Sequence, residues 1–136
     1  MAACLASVLL WPGCSGSDDG SPPATVSLDG RTVETRELAG TVDGLCLARQ
    51  QGATDVEAAR ATYEGRSRAG VEITARAMQG SYEPLASSVT EAAAAVEADL
   101  RAEPPAATLD QSLARLLETV RESLARLGVP TSACEK

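Results

Sequence analysis

The sequence contains no histidine and no phenylalanine, and Lys136 is its only lysine. Without histidine, the chain lacks the commonest general base, the commonest metal ligand and the Glu-x-x-His motif of di-iron bundles. No glycine-rich phosphate loop, nucleophile elbow or calcium loop is found along it. We therefore predict a protein with no metal, no cofactor and no enzymatic activity. An enzyme that uses only carboxylates and arginines is the weaker alternative.

Aromatic side chains and positive charges are also scarce. Only Trp11, Tyr63 and Tyr82 are aromatic, and 19 acidic residues outnumber 12 basic ones, for a formal net charge of −7. Because nucleic-acid binding relies on neutralising phosphates, this balance excludes a nucleic-acid partner. A core must then come from Leu, Val and Ala, which bury less area than large rings. A domain of about 100 residues with such a core is marginally stable and would gain from a covalent cross-link.

The amino-terminal segment has the features of an export signal. Residues 2–10 form an uncharged apolar run, too short to cross a bilayer but matching the hydrophobic region of a signal peptide. The positive segment that usually precedes such a region is missing, which indicates a start upstream of Met1. The following Leu10-Trp11-Pro12-Gly13-Cys14 is similar to a bacterial lipobox, in which the Cys becomes the lipidated first residue.

This leader predicts the domain organisation of the chain. Residues 1–14 would form the signal peptide and lipobox-like segment, with lipidation at Cys14. The Gly, Ser and Pro residues of segment 15–24 are typical of a flexible tether, and 25–136 would form the folded domain. We expect an extracytoplasmic protein whose membrane contact is the lipid anchor. The alternative is plain secretion.

The leader also decides how the four cysteines are used. Cys4 would leave with the signal peptide and Cys14 would carry lipid, so Cys46 and Cys134 are left as a pair. In an oxidising compartment we expect them to form a disulfide. Closing this loop of about 88 residues would stabilise the fold by roughly 4 to 5 kcal/mol in the chain-entropy description. The alternative is two unrelated buried thiols.

The first part of the domain predicts a hairpin and a helix. Alternating apolar and polar residues flank Asp29-Gly30, a pattern typical of a two-residue hairpin turn, so we expect a short ribbon or merely a turn. A first helix is predicted from Thr35 to about Gln51. Its apolar stripe is Leu38, Val42 and Leu45. Small residues recur every four positions on the opposite face, at Gly40, Gly44 and Ala48. This spacing favours close contact with another helix.

A second helix is predicted from the capping box Thr54-Asp55-Val56-Glu57 to about Gln79. Its inner side would carry Val56, Ala59, Tyr63, Ile73 and Ala77. Gly65 and Gly70 lie in its middle, each at a cost of up to about 1 kcal/mol relative to Ala, so we expect a bend there. The side chains around them form a candidate ligand or partner notch: Tyr63, Glu64, Arg66, Arg68 and Glu72. The alternative is ordinary surface charge.

Two further helices complete the predicted domain. Ser81 would cap the third, and the box Thr108-Leu109-Asp110-Gln111 would open the fourth. Helical stripes are Leu85, Val89, Ala92, Ala93, Val96 and Leu100, then Leu109, Leu113, Leu116, Leu117, Val120, Leu124 and Leu127. The predicted fold is all-α, an up-down four-helix bundle with a short N-terminal hairpin or turn and one disulfide. The first and fourth helices are neighbours in that topology, which agrees with a Cys46–Cys134 bridge.

Several segments together resemble uncharacterised small secreted lipoproteins of actinobacterial type. They are the leader ending at Cys14, Asp29-Gly30-Arg31, Asp43-Gly44-Leu45-Cys46, and Leu127-Gly128-Val129-Pro130 before Cys134. The resemblance implies a lipid-anchored envelope location and carries no established activity or catalytic residue. We expect a non-enzymatic interaction or structural module, with an envelope protein as its candidate partner. The alternative is an extracytoplasmic carrier that binds a small apolar ligand between the helices, near Gly65 and Gly70.

Overall fold

The computed structural model describes residues 24–28, 30–102 and 104–134. The predicted signal peptide, the lipidation site Cys14 and tether residues 15–23 lie outside the described residues. The strands are β1 (Thr25–Leu28) and β2 (Arg31–Glu34). The α-helices are α1 (Thr35–Gly52), α2 (Val56–Thr62), α3 (Arg68–Met78), α4 (Glu83–Ala102) and α5 (Ala106–Arg126). A π-helical turn, Tyr63–Ser67, joins α2 directly to α3, and the three together form the second helix of the bundle.

The helices pack in the order expected for an up-down bundle. Helix α1 contacts α2, α3 contacts α4, α4 contacts α5, and α5 returns to contact α1. Sequential neighbours therefore pack side by side and the first and last helices meet, which confirms the predicted all-α architecture. The core contains the predicted stripe of α1, in which Leu38, Val42 and Leu45 are fully buried. In α5 the stripe from Leu109 to Leu124 is buried as predicted.

The N-terminal residues form a hairpin and not merely a turn. Strands β1 and β2 are antiparallel, with Leu28 opposite Arg31, which is the register of a hairpin with a two-residue turn. Gly30 has a φ of 75°, a conformation that glycine adopts at little cost. Leu28 and Val33 are buried in the same core cluster as the helices. The hairpin is therefore held by apolar contacts with the bundle.

The predicted disulfide is present. Cys46 on α1 and Cys134 beyond α5 are bonded, with their Cα atoms 5.3 Å apart. The chain reaches α1 by turning back after α5, where the Val129 N–H donates to the Leu124 carbonyl oxygen at 2.9 Å. Val129 is also buried in the core. The bridge thus ties the end of the described chain to the first helix.

Two helix starts differ from the predicted capping boxes. Asp55, not Thr54, caps α2, because its carboxylate accepts the Ala58 N–H at 3.0 Å. Helix α5 begins at Ala106, so Asp110 lies within it and faces α1. There the Asp110 carboxylate accepts two hydrogen bonds from Arg49, at 2.7 and 3.2 Å. This hydrogen bonding lowers the pKa of Asp110. The predicted box at residues 108–111 therefore lies inside the helix and does not cap it.

Helix α1 and the second helix approach closely at two glycines. A Cβ atom at Gly44 would overlap the Ser67 hydroxyl oxygen, and one at Gly70 would overlap the Thr41 hydroxyl oxygen. The predicted small-residue contact is therefore confirmed at Gly44, and Ala48 on the same face is fully buried. It is wrong for Gly40, where a Cβ would meet no described atom within 4 Å, because this position lies beyond the contact.

The close contact predicts opposite effects of alanine at two glycines of the second helix. Gly70→Ala should lower the free energy of unfolding by about 1 to 3 kcal/mol, because the added methyl group collides with Thr41. Gly65→Ala is the matched control. A Cβ there meets no described atom within 4 Å, so helix propensity should raise stability by up to about 1 kcal/mol. Urea unfolding of the oxidised proteins measures both, and equal shifts would contradict the packing described.

Candidate functional site

The π-helical turn occurs where the sequence predicts a bend, at Gly65. A π turn adds one residue to a helical turn and is frequent at functional sites. The extra residue shifts every later side chain by one position around the second helix. After the turn, the buried residues are Val71, Thr74 and Met78, whereas the predicted Ile73 and Ala77 are only partly buried. The prediction of the inner face was wrong there because it assumed an uninterrupted helix.

Tyr63 occupies the first position of this turn and points inward. Its side chain is only 1% exposed, and its hydroxyl donates to Glu97 Oε2 on α4 at 3.1 Å. Burial, followed by the negative charge of Glu97, raises the pKa of the Tyr63 hydroxyl well above its usual value. The phenol therefore stays protonated at neutral pH and serves as a hydrogen-bond donor.

Arg68 connects the tyrosine contact to the surface. Its Nε atom lies 3.3 Å from Glu72 Oε1 and 3.6 Å from Glu97 Oε2. The Glu97 carboxylate is therefore shared between a buried phenol and a half-exposed guanidinium. This arrangement locks the orientation of Glu97 and leaves one face of Arg68 toward solvent. A group bound here would meet a pre-oriented pair of opposite charges.

A small depression opens over these side chains, which we name the Tyr63–Glu97 notch. It is lined by Arg60, Tyr63, Glu64, Arg68, Glu97, Leu100 and Arg101. Its volume is about 140 Å³. That is roughly the space of five water molecules and well below the ~300 Å³ at which small-molecule pockets begin. The notch can accept the polar end of one side chain rather than a whole drug-sized molecule.

Some of the predicted site residues line this notch and others do not. Tyr63, Glu64 and Arg68 line it, and Glu72 reaches it through its ion pair with Arg68. Arg66 does not line it, because its Cβ packs over Gly44 on the side of α1. Sequence reasoning missed the residues that lie outside the glycine region, Arg60, Glu97, Leu100 and Arg101. Glu97 follows the core residue Val96 in an alanine-rich helix. Nothing in the sequence around Glu97 predicts its contact with Tyr63, which lies 34 residues away.

The space near the two glycines differs from what the carrier hypothesis expected. Thr41 fills the interhelical space beside Gly70, so an apolar ligand there would have to displace it. Gly65 is exposed and faces outward. The polar contacts between these helices are also internal: the Ser67 hydroxyl donates to the Thr41 carbonyl at 2.9 Å.

Tyr82 and Arg126 form a second surface feature, where the start of α4 lies beside the end of α5. Tyr82 is 40% exposed, and the Arg126 guanidinium carbon lies 4.8 Å from its ring centroid, a cation–π arrangement. A depression of about 390 Å³ beside them is also lined by Leu85 and Glu122. Tyr and Arg are enriched in protein interfaces, so this feature supplies further contact area.

The described residues offer no metal site and no membrane-spanning helix, and no similar protein is found. Within residues 24–28, 30–102 and 104–134, no three His, Cys, Asp or Glu side chains are placed to hold a metal ion. In the same part of the chain, no helix is long and apolar enough to span a bilayer. Comparison with protein-family models, curated proteins and solved structures finds no match in any of the three. Function is therefore inferred from the residues of this chain alone.

The raised pKa of Tyr63 predicts a loss of stability in alkali. Above about pH 10 the unfolded chain releases the phenol proton while the folded chain retains it, so unfolding becomes easier as pH rises. Between about pH 10 and 12 this group should reduce the free energy of unfolding by about 1.4 kcal/mol per pH unit. Urea unfolding of wild type and Tyr63→Phe at several pH values measures it as the difference in slope. Identical slopes would contradict the buried, protonated phenol.

Proposed function

We propose that this chain is a cell-envelope lipoprotein, anchored through Cys14, whose bundle acts as a non-enzymatic interaction module. The Cys46–Cys134 bridge carries the proposal. Disulfides form and persist in oxidising compartments and are rare in the cytosol, so the bridge supports export. The signal-peptide-like residues 2–10 and the lipobox-like Cys14 supply a route and an anchor.

The bundle supports the interaction role by holding its surface rigid. The bridge restrains the end of the described chain, and the Arg49–Asp110 pair joins α1 to α5 at 2.7 Å. Tyr63 joins the π turn to α4 through Glu97. A rigid surface loses little conformational entropy when a partner binds, which favours affinity. The module therefore presents the notch and the Tyr82–Arg126 feature in fixed positions.

The partner that fits this surface is another envelope protein. The notch combines the guanidinium groups of Arg60, Arg68 and Arg101 with the carboxylates of Glu64 and Glu97. Its small volume suits a single polar side chain, and a folded partner can cover the surrounding surface at the same time. Interface energy is concentrated in a few such contacts, with Tyr and Arg prominent among them.

The lipid anchor predicts that membrane location depends on one cysteine. In a bacterial host that processes lipoproteins, the full chain should fractionate with membranes, and mass spectrometry should find diacylglycerol on Cys14. Cys14→Ser should release the protein from the membrane fraction because the acyl chains provide the binding energy. Cys4→Ser is the matched control and should stay with membranes, since this residue leaves with the leader. Wild-type protein in the membrane fraction with an unmodified Cys14 would contradict the anchor.

The interaction role predicts position-dependent cross-linking in intact cells. A photo-activated amino acid at Glu64 or Arg101, on the rim of the notch, should capture the same envelope protein, identified by mass spectrometry. The probe at Glu118, exposed on α5, is the control and should not capture it. Placing the probe on the identified partner should capture this chain in return. Capture of no protein from the notch positions, or of the same proteins from all three, would contradict the proposal.

A further inference from the structure

The Cys46–Cys134 bridge lies at the edge of an open depression. The depression has a volume of about 350 Å³ and is lined by Asp43, Cys46, Leu47, Gln50, Ser132, Ala133 and Cys134. Cys134 is partly exposed, whereas Cys46 is 9% exposed and belongs to α1. A small molecule in the depression therefore meets Cys134 as the more exposed of the two cysteine residues.

Arg121 brings a positive charge to both sulfur atoms. Its Nη2 atom lies 3.6 Å from Cys134 Sγ and 3.8 Å from Cys46 Sγ. The same nitrogen donates to the Ser132 carbonyl oxygen at 2.7 Å, which holds the guanidinium in place. A nearby guanidinium stabilises a thiolate relative to a thiol. Among the described residues, Asp43 contributes the one carboxylate of the lining and has the opposite sign.

The bridge holds a short segment that lies outside the helices. Residues 130–134 are described as irregular chain after α5. Val129, just before them, is buried and bonded to Leu124, so the turn after α5 is anchored independently of the bridge. Cleavage of the disulfide would therefore remove the covalent link of residues 130–134 to α1 and leave the Arg121–Ser132 hydrogen bond and the buried Val129 in place.

We propose that the Cys46–Cys134 bridge is a thiol–disulfide exchange site for a low-molecular-weight thiol. The thiolate of the small molecule attacks Cys134 Sγ along the S–S axis, forming a mixed disulfide with Cys134. The bond to Cys46 breaks, and Cys46 Sγ departs with the electron pair as a thiolate beside Arg121. The proton of the incoming thiol has been released to solvent beforehand, so no oxidant or further reductant is needed. This modification goes beyond the proposed function and does not depend on the lipid anchor.

The test measures where and how fast a thiol reacts with the folded full chain. The probe is 2-mercaptoethanol, which has no charge other than that of its thiolate. After acid quenching and alkylation, peptide mapping should show the mercaptoethanol adduct on Cys134 and the alkyl group on Cys46. Arg121→Gln should slow the reaction about threefold to tenfold, because a leaving thiolate without its positive neighbour leaves more slowly. Arg115→Gln, an exposed arginine of the same helix, is the control and should react within about twofold of wild type.

Three outcomes would overturn the proposal. Arg121→Gln also loses the bond to Ser132, which by itself would loosen the segment and speed cleavage, so an unchanged or faster rate excludes the leaving-group role. An adduct found mainly on Cys46 excludes the assigned direction of attack. Arg121→Lys retains the charge and should keep most of the wild-type rate; a loss equal to that of Arg121→Gln counts against the charge effect. Circular dichroism before the reaction confirms that each variant is folded.

Discussion

The close approach of α1 to the second helix is the constraint on which the rest of the structure depends. Neither Gly44 nor Gly70 has room for a Cβ atom, because hydroxyl groups of Ser67 and Thr41 occupy those positions. The chain has few aromatic side chains to fill a wide core. A narrow spacing between helices compensates for this scarcity, because smaller side chains can then fill the core. The contact contains polar side chains, but every fully buried side-chain N or O atom among the described residues has a hydrogen-bond partner. Close packing is therefore reached without unsatisfied polar groups.

The π-helical turn allows the second helix to make two specific contacts with different neighbouring helices. It places Ser67 against the Thr41 carbonyl on the side of α1 and Tyr63 against Glu97 on the side of α4. In a regular α-helix, one of these contacts would be displaced by the 100° step of each residue. The added residue resolves the conflict and also brings Arg68 to the surface beside Glu97. The notch is thus a by-product of core packing that is available for recognition.

The contact between the first and last helices is stabilised by two kinds of chemistry. The Arg49–Asp110 ion pair joins α1 to α5 through partly exposed side chains. Along the same two helices, a covalent bond links Cys46 to the segment that follows α5. Ion pairs at such exposure contribute little to the free energy of unfolding. The covalent link and the apolar stripe therefore supply most of the stability of the contact between the first and last helices. The same bond borders solvent and a guanidinium, which makes it both a structural element and a reactive one.

The sequence by itself determined the four helices of the bundle, the apolar stripes of α1 and α5, and the Cys46–Cys134 pairing. It left open whether the N-terminal residues form a hairpin or merely a turn. Helical periodicity reports which side chains face the core, and the expectation that Cys4 and Cys14 belong to a leader left Cys46 and Cys134 as the pair. The tertiary structure alone decided the π turn, the partnership of Tyr63 with Glu97, the use of Asp110 by Arg49 and the position of Arg121 over the disulfide. The last three join residues on different elements, and the π turn is stabilised by contacts of Tyr63 and Ser67 with other helices. No pattern within a single segment therefore predicts them.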